Sequence, residues 1–454
     1  VIGYWSSDVC SSDLVFIVME DRKNFDASSS WFATNVHAAE KDAPAAEKFA
    51  KRIQLVEDAT ALKEPERIPM CPMLGALPYN LEGSSYKAAM YDFPAASEAL
   101  VKFYQEFQPD AATHTGFTSG KANELAGSTM IDWPGRPGTS VPDFSTHQVI
   151  ENEYMDDSEY PELLKDFTGF MLRKYIPRAF PALKGLSDIR FVPSIVLNTT
   201  PLASLYSRQA QEAFSLLAKI GEEDAKAADA SNAVSNRLAD LGFPPMFTGA
   251  GEAPFDIIGD YYRGTLATLT DQLEYPDELE AACDLMADIQ IESWQYFRSV
   301  PLPVKRVFFP LHKGMDGFMS PEQYQRIYWK PLKKCMLALI DMGVTPYIYT
   351  EGRYNTRLEQ LADIPKGKVI YHFETADMER AKKILGGTAA ISGNLPIYIL
   401  EHGTKQQVID ETKKLIDICA PGGGYIFDTN GCIDNAKCEN LEAMFETLYT
   451  YGHK

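Results

Sequence analysis

Short apolar runs recur along the chain, and most are followed by a stretch whose apolar residues repeat at helical spacing. "RIPMCPML" (67–74) predicts a first buried strand and "DAATHTGF" (110–117) a second, with "PAASEALVKFYQEF" as the helix between them. The alternation then breaks. "STMIDWPGRPGTSVPDFSTHQVIENEYM" (128–155) predicts a hairpin that turns at "PGRPGT", and helical spacing follows over 203–220 and 222–241. Strand-like text returns at "PPMFTGAG" (244–251) and stays regular: "KRVFFPLH" (305–312), "VTPYIYTE" (344–351), "KVIYHF" (368–373), "AAISGN" (389–394) and "GYIFDT" (424–429). Helix starts are marked by Ser320–Pro321 with Gln323, and by Thr404 with Gln407, both capping-box spacings. Strands near 70, 113, 247, 309, 348, 370, 391 and 426, separated by helices, predict a (β/α)8 TIM barrel over 67–454. A polar, alanine-rich helical arm (15–66) precedes it, and an insertion (118–243) of hairpin plus helices follows strand two.

Composition narrows the class without changing this picture. The chain has 454 residues, of which 45% are hydrophobic and 23% charged, with a mean hydropathy of −0.22, as in an ordinary globular enzyme. Apolar runs fall short of a membrane span. A net charge of −20 and a pI near 4.8 argue against a nucleic-acid or anionic-lipid surface. Seven cysteines, scattered from Cys10 to Cys438, form no framework and fit the reducing cytoplasm. "WSSDVCSSDL" (5–14) reads as a translated sequencing adapter. Residues 1–14 are therefore expected to be foreign to the fold, with the native chain entering near Val15.

The C-terminal strand ends of such a barrel converge on one mouth, so the side chains there are the candidate chemistry. Strand four ends in His312 and Lys313, strand five in Tyr349, Glu351 and Arg353, and strand six in His372 and Glu374. Strand eight leads through Asp428 to Cys432. Alternation puts Tyr349 with Glu351, and His372 with Glu374, on shared faces. Glu351, His372 and Cys432 would supply a carboxylate, an imidazole and a thiolate, and three protein ligands with one open position is the pattern of catalytic zinc. A loop cap, a hydrogen-bonded histidine and a packed cysteine would explain the same three residues without a metal. His312, Asp428 and Glu374 are alternative ligands or groups that orient one. Tyr79, Phe117, Trp133, Met315 and Phe318, with Lys313, are candidates to line a substrate pocket, and Cys438 is expected in the core.

"HKGMDGFMSPEQY", "ISGNLPIYILEHGTKQQV", "APGGGYIF" and "NGCIDNAKCENLEAM" resemble the uroporphyrinogen decarboxylase superfamily, as does "GAGEAPF" (249–255). The resemblance covers about 67–454 and is strongest after 244. It implies the barrel fold and offers two chemistries. True decarboxylases are metal-free and grip substrate carboxylates with an arginine-bearing stretch after strand one; the matching "MLGALPYN" (73–80) has no arginine. The other branch comprises zinc methyltransferases that exchange methyl groups with a corrinoid protein. Their zinc is held by a His-x-Cys after strand five and a cysteine in a "GC" after strand eight. Cys432 matches the latter, while "YTEG" puts Tyr349 and Glu351 where the histidine and cysteine would stand. His372 would restore an imidazole, as in aromatic O-demethylating relatives.

The resemblance thus implies a methyltransferase that moves a methyl group from a methoxylated, aromatic substrate to the cob(I)amide of a partner corrinoid protein. Zinc on Glu351, His372 and Cys432 would act as Lewis acid on the leaving oxygen, with Tyr349 and Arg353 beside it. A carboxylate in place of a thiolate makes a harder, more acidic ion, which suits that task. A metal-free decarboxylase or lyase, and a non-catalytic protein that binds the corrinoid partner, are the competing readings.

Overall fold

The computed structural model describes residues 43–114, 116–193 and 198–453. The adapter-like stretch and most of the expected arm lie outside them. The described part of the arm is helix α1 (Ala43–Thr60). Helix α2 (Phe93–Phe107), capped by Asp92, turns its apolar face into the core. The insertion contains a short antiparallel pair, β1 (Ile131–Asp132) and β2 (Gln148–Val149). It ends in α3 (Arg208–Asp240), one unbroken helix where two were expected. Gly221 does not break it: a lone helical glycine costs about 1 kcal/mol relative to alanine, and good helix formers flank it.

From β3 (Gly249–Ala250) the chain winds a six-stranded parallel sheet in sequential order. Helix α4 (Pro276–Ser293) leads to β4 (Arg306–Leu311), and α5 (Lys330–Asp341) to β5 (Thr345–Arg353). β6 (Ile370–Thr375), α6 (Met378–Leu385), β7 (Ala390–Ser392), α7 (Lys405–Cys419), β8 (Tyr425–Ile426) and α8 (Cys438–Tyr451) complete it. Strands expected at 67–74 and 110–117 thin to isolated bridges, Met70 with Phe427 and Ala112 with Pro245, so no closed eight-stranded ladder forms among the described residues. Pro69 and Pro72 lack the N–H groups a ladder needs, which accounts for the first of these.

Bulky aromatics fill the space the sheet encloses. Phe247 packs edge-on to Tyr347 at 5.0 Å, and Phe308 meets Tyr349 at 5.6 Å. Val56 and Ala59 of α1 join this cluster and close its floor. Buried Arg306 holds α1 there, donating to the Met246 carbonyl at 2.9 Å and to Glu57 at 2.6 Å.

The thinned strands are tied by charge. Asp110, wholly buried, accepts two bonds from Arg67 at 2.6 and 2.5 Å and one from the Met70 N–H at 2.7 Å. Asp110→Ala should therefore cost about 3–5 kcal/mol, because it strands a largely buried guanidinium. Urea unfolding of the variant should show a lower midpoint at unchanged slope; an unaltered midpoint would mean that the pair holds nothing together.

Candidate functional site

The site is built where the segment after β3 meets the end of β4. Pro254 opens a short helix (Pro254–Asp256) that runs into a π-turn (Ile257–Tyr262), and this places Asp256 and Asp260 one turn apart. Asp256, fully buried, accepts the backbone N–H groups of His312 at 2.8 Å and Lys313 at 3.0 Å, and the Tyr328 hydroxyl at 2.6 Å. It thereby fixes the chain as it leaves the strand. Asp260 then takes both side chains, with His312 Nδ1 at 2.6 Å on one oxygen and the Lys313 ammonium on the other. Glu252 lies 3.5 Å from His312 Nδ1, and Glu351 reaches to 3.7 Å from its Nε2.

Burial alone would push the His312 imidazole down. The Asp260 bond and the charges of Asp256, Asp260 and Glu351 outweigh it and lift the group to about 10. Asp260 goes the other way: its partners overcome burial and keep it ionised. Burial raises the carboxyls of Glu252 and Glu351 and lifts Asp256 to about 6, while the His312 charge pulls against it in all three.

Glu351 owes its place to an irregularity. The β5–β6 register shifts between Thr350 and Arg353, and Gly352 takes φ +78°, a conformation that suits glycine. Glu374 accepts the Gly352 N–H and closes the bulge. Met315 lies against Gly352, where an added Cβ would stand 2.6 Å from its sulfur. Arg353 ends the strand exposed.

Several expected residues go elsewhere. His372 does not meet Glu351. It pairs in register with Tyr349, stacks on that ring at 4.2 Å, and donates Nε2–H to the Thr429 carbonyl at 2.8 Å on the enclosed face of the sheet. Burial lowers its imidazole to about 3, so it is neutral. Asp428 is an anchor: it accepts the N–H groups of Met73 at 2.8 Å and Thr429 at 2.7 Å, and burial lifts it to about 8. Cys432 is exposed in the loop after β8. Cys438, expected in the core, is exposed because it opens α8 from a loop.

Tyr79, Phe117 and Trp133 are buried packing residues. Tyr79 packs on Tyr86, Phe117 stacks on Phe93, and Trp133 donates to Tyr91. Trp133 does border a cavity of about 520 Å³, but with Arg136 and Ile150 of the insertion. Phe318 is a partly buried member of the core's edge. Glu252, Asp256 and Asp260 had no place in the sequence reading, although "GEAPFDIIGD" sets acids at intervals of four directly after a strand end.

The zinc implied by the resemblance does not fit these donors. Glu351, His372 and Cys432 do not form a group whose ligand atoms all lie within 4.8 Å of one another. Among the described residues, one group does bring potential ligand atoms within 4.8 Å of one another: Glu252, Asp260 and His312. Both Asp260 oxygens are occupied, and one partner is an ammonium, whose charge opposes a divalent cation in the same cluster.

The uroporphyrinogen decarboxylase (URO-D) family profile matches residues 217–451, just over half of the chain. Among solved structures, a methyltransferase from Methanosarcina mazei superposes with a TM-score of 0.56 at 14% identity, over 88% of this chain and 98% of that one. At that identity the likeness is one of fold. No curated protein matches. Among the described residues, no helix is long and apolar enough to cross a membrane.

His372 supplies a test of its interior placement. Its folded imidazole stays neutral down to about pH 3, whereas the unfolded one takes a proton near 6.5. Its contribution to stability is complete above that value and is lost as pH falls toward 3. His372→Phe should flatten the acid side of a stability–pH curve between pH 6.5 and 4. A slope equal to the parent's would place the imidazole in contact with water.

Proposed function

The chain belongs to the uroporphyrinogen decarboxylase family, and from that premise we propose that it is a methyltransferase. It takes the methyl group of a methoxylated aromatic compound and passes it to the Co(I) corrinoid of a partner protein. The observation that carries this reading is the charge of the mouth. The two cations at the end of β4, His312 and Lys313, are both spent on Asp260, and Glu252, Asp256 and Glu351 crowd round them. A tetrapyrrole with many carboxylates needs free cations in fork geometry, above all arginines. The stretch 73–80, where the decarboxylases of the family carry one, has none. A neutral ether meets no Coulomb repulsion from such a mouth.

A solved structure of the same fold is a methyltransferase, so the fold accommodates that chemistry. Zinc is left out of the proposal because Glu351, His372 and Cys432 are not a group of ligand atoms within 4.8 Å and His372 Nε2 bonds the Thr429 carbonyl. The test mixes the protein with a corrinoid protein reduced to Co(I) and a panel of methoxylated aromatics. The Co(I) absorbance should give way to that of methyl–Co(III), with one phenol released per methyl group transferred. Binding of the corrinoid protein without transfer, or carbon dioxide release from a carboxylated substrate, would overturn the reading.

A further inference from the structure

Beyond the main core, the insertion carries a second and much smaller one. Leu183, Leu186, Ile189, Ala210 and Ala213 are its buried members, with Leu205, Leu216 and Ile220 packed against them. It forms where the turns of Pro181–Asp188 and Thr200–Tyr206 meet the first half of α3. Around it stand Phe191, Val192, Leu202, Tyr206, Phe214 and Leu217, each between 36% and 66% exposed. We infer that this face is where two copies of the chain meet across a two-fold axis, making the protein a homodimer.

The six side chains form a patch, not a scatter. The Ser204 hydroxyl accepts the Arg190 N–H at 3.1 Å and donates to the Arg190 carbonyl at 2.6 Å. That exchange brings the stretch holding Phe191 and Val192 against the one holding Leu202 and Tyr206. Gln211 donates to the Leu205 carbonyl at 2.6 Å and ties the same turns to α3. Along α3, Ala210, Ala213, Phe214 and Leu217 stand at i, i+3, i+4 and i+7, the spacing of one helix face. The two alanines are buried, and the two larger residues carry the stripe out into water.

Size separates an interface from ordinary surface. A large aromatic side chain offers about 150–250 Å² and an aliphatic one somewhat less, so these exposures amount to roughly 500 Å² of apolar surface. A stable dimer buries about 800 Å² on each side, of which about 60% is apolar, or about 480 Å². The patch supplies that amount. Its own five-residue core leaves this surface uncovered, and a second copy of the same face covers it.

Charge favours a second copy as the occupant. The chain carries 63 acidic side chains against 43 basic ones, so two copies repel over most of their surfaces. Residues 184–219 reverse the balance, with Lys184, Arg190, Arg208 and Lys219 against Asp188 and Glu212. Arg208 and Glu212 pair at 2.8 Å in open solvent, and a two-fold contact lets each exchange its partner for the other copy's. All six apolar residues belong to the insertion and none to the strand ends that carry His312, Glu351 or Cys432, whatever the reaction there.

Sedimentation equilibrium of the full chain tests this. At about 10 μM the mass should be twice the 50.6 kDa of the chain. It should stay so in about 1 M salt, which screens charge and leaves apolar contact intact. A monomer, or a dimer that salt dissociates, would overturn the inference. Phe191→Glu with Tyr206→Glu, both at exposed positions, should weaken association by at least about 100-fold while circular dichroism and the urea midpoint stay at the parent's values. Leu266→Glu with Leu273→Glu, equally open to water but outside the patch, should leave the mass unchanged. A dimer that survives the first pair, or that the second pair dissociates, would overturn the assignment of this face. Hydrogen exchange needs no variant: amides of 198–217 should exchange faster once the parent is diluted below its dissociation constant. Exchange there that dilution leaves unchanged would also count against it.

Discussion

The arrangement of the site depends on one buried carboxylate, Asp256. Its oxygens take two successive backbone N–H groups at the end of β4 and a tyrosine hydroxyl from the following helical segment. Three bonds to a group wholly removed from water fix where the strand stops and which way its next two side chains leave. His312 and Lys313 can then reach the same Asp260 only because Asp256 has set their backbone. Removing the Asp256 carboxyl would leave buried N–H groups without an acceptor and release the strand end with them.

Most of the fold was legible because six of the strands are continuous apolar runs and the helices between them carry period and caps. The capping boxes at Ser320 and Thr404 form as their spacing implies. The first two strands misled for a local reason: "RIPMCPML" has the apolar content of a strand but, with two prolines, not its donors. The helix expected in two pieces, 203–220 and 222–241, runs unbroken across Gly221, because one permissive residue is outweighed by the helix formers on either side. Each error comes from reading side chains where the backbone decides.

The site was legible only in part, and depth explains the gap. Alternation puts Tyr349 with Glu351 and His372 with Glu374 on shared faces, but it does not say at which level of the sheet a residue stands. The register pairs His372 with Tyr349, one layer below Glu351, so the imidazole stacks in the interior. Glu374, two residues on, is the member of that strand that rises to the mouth, and there it closes a bulge. The acids that do face His312 come from a turn after β3. No strand pattern points to a turn, and only the four-residue spacing of Glu252, Asp256 and Asp260 hinted at it.

These placements change what the mouth can do electrostatically. A thiolate and two neutral or anionic ligands would make a cation-binding pocket. Here the corresponding thiol is exposed, burial pushes the corresponding imidazole down, and carboxylates push a different imidazole up. Asp260 is what makes that charge durable, since it stays ionised while shared between an imidazolium and an ammonium. The positive charge of the site is therefore carried by two side chains of the chain itself, His312 and Lys313, held on one carboxylate.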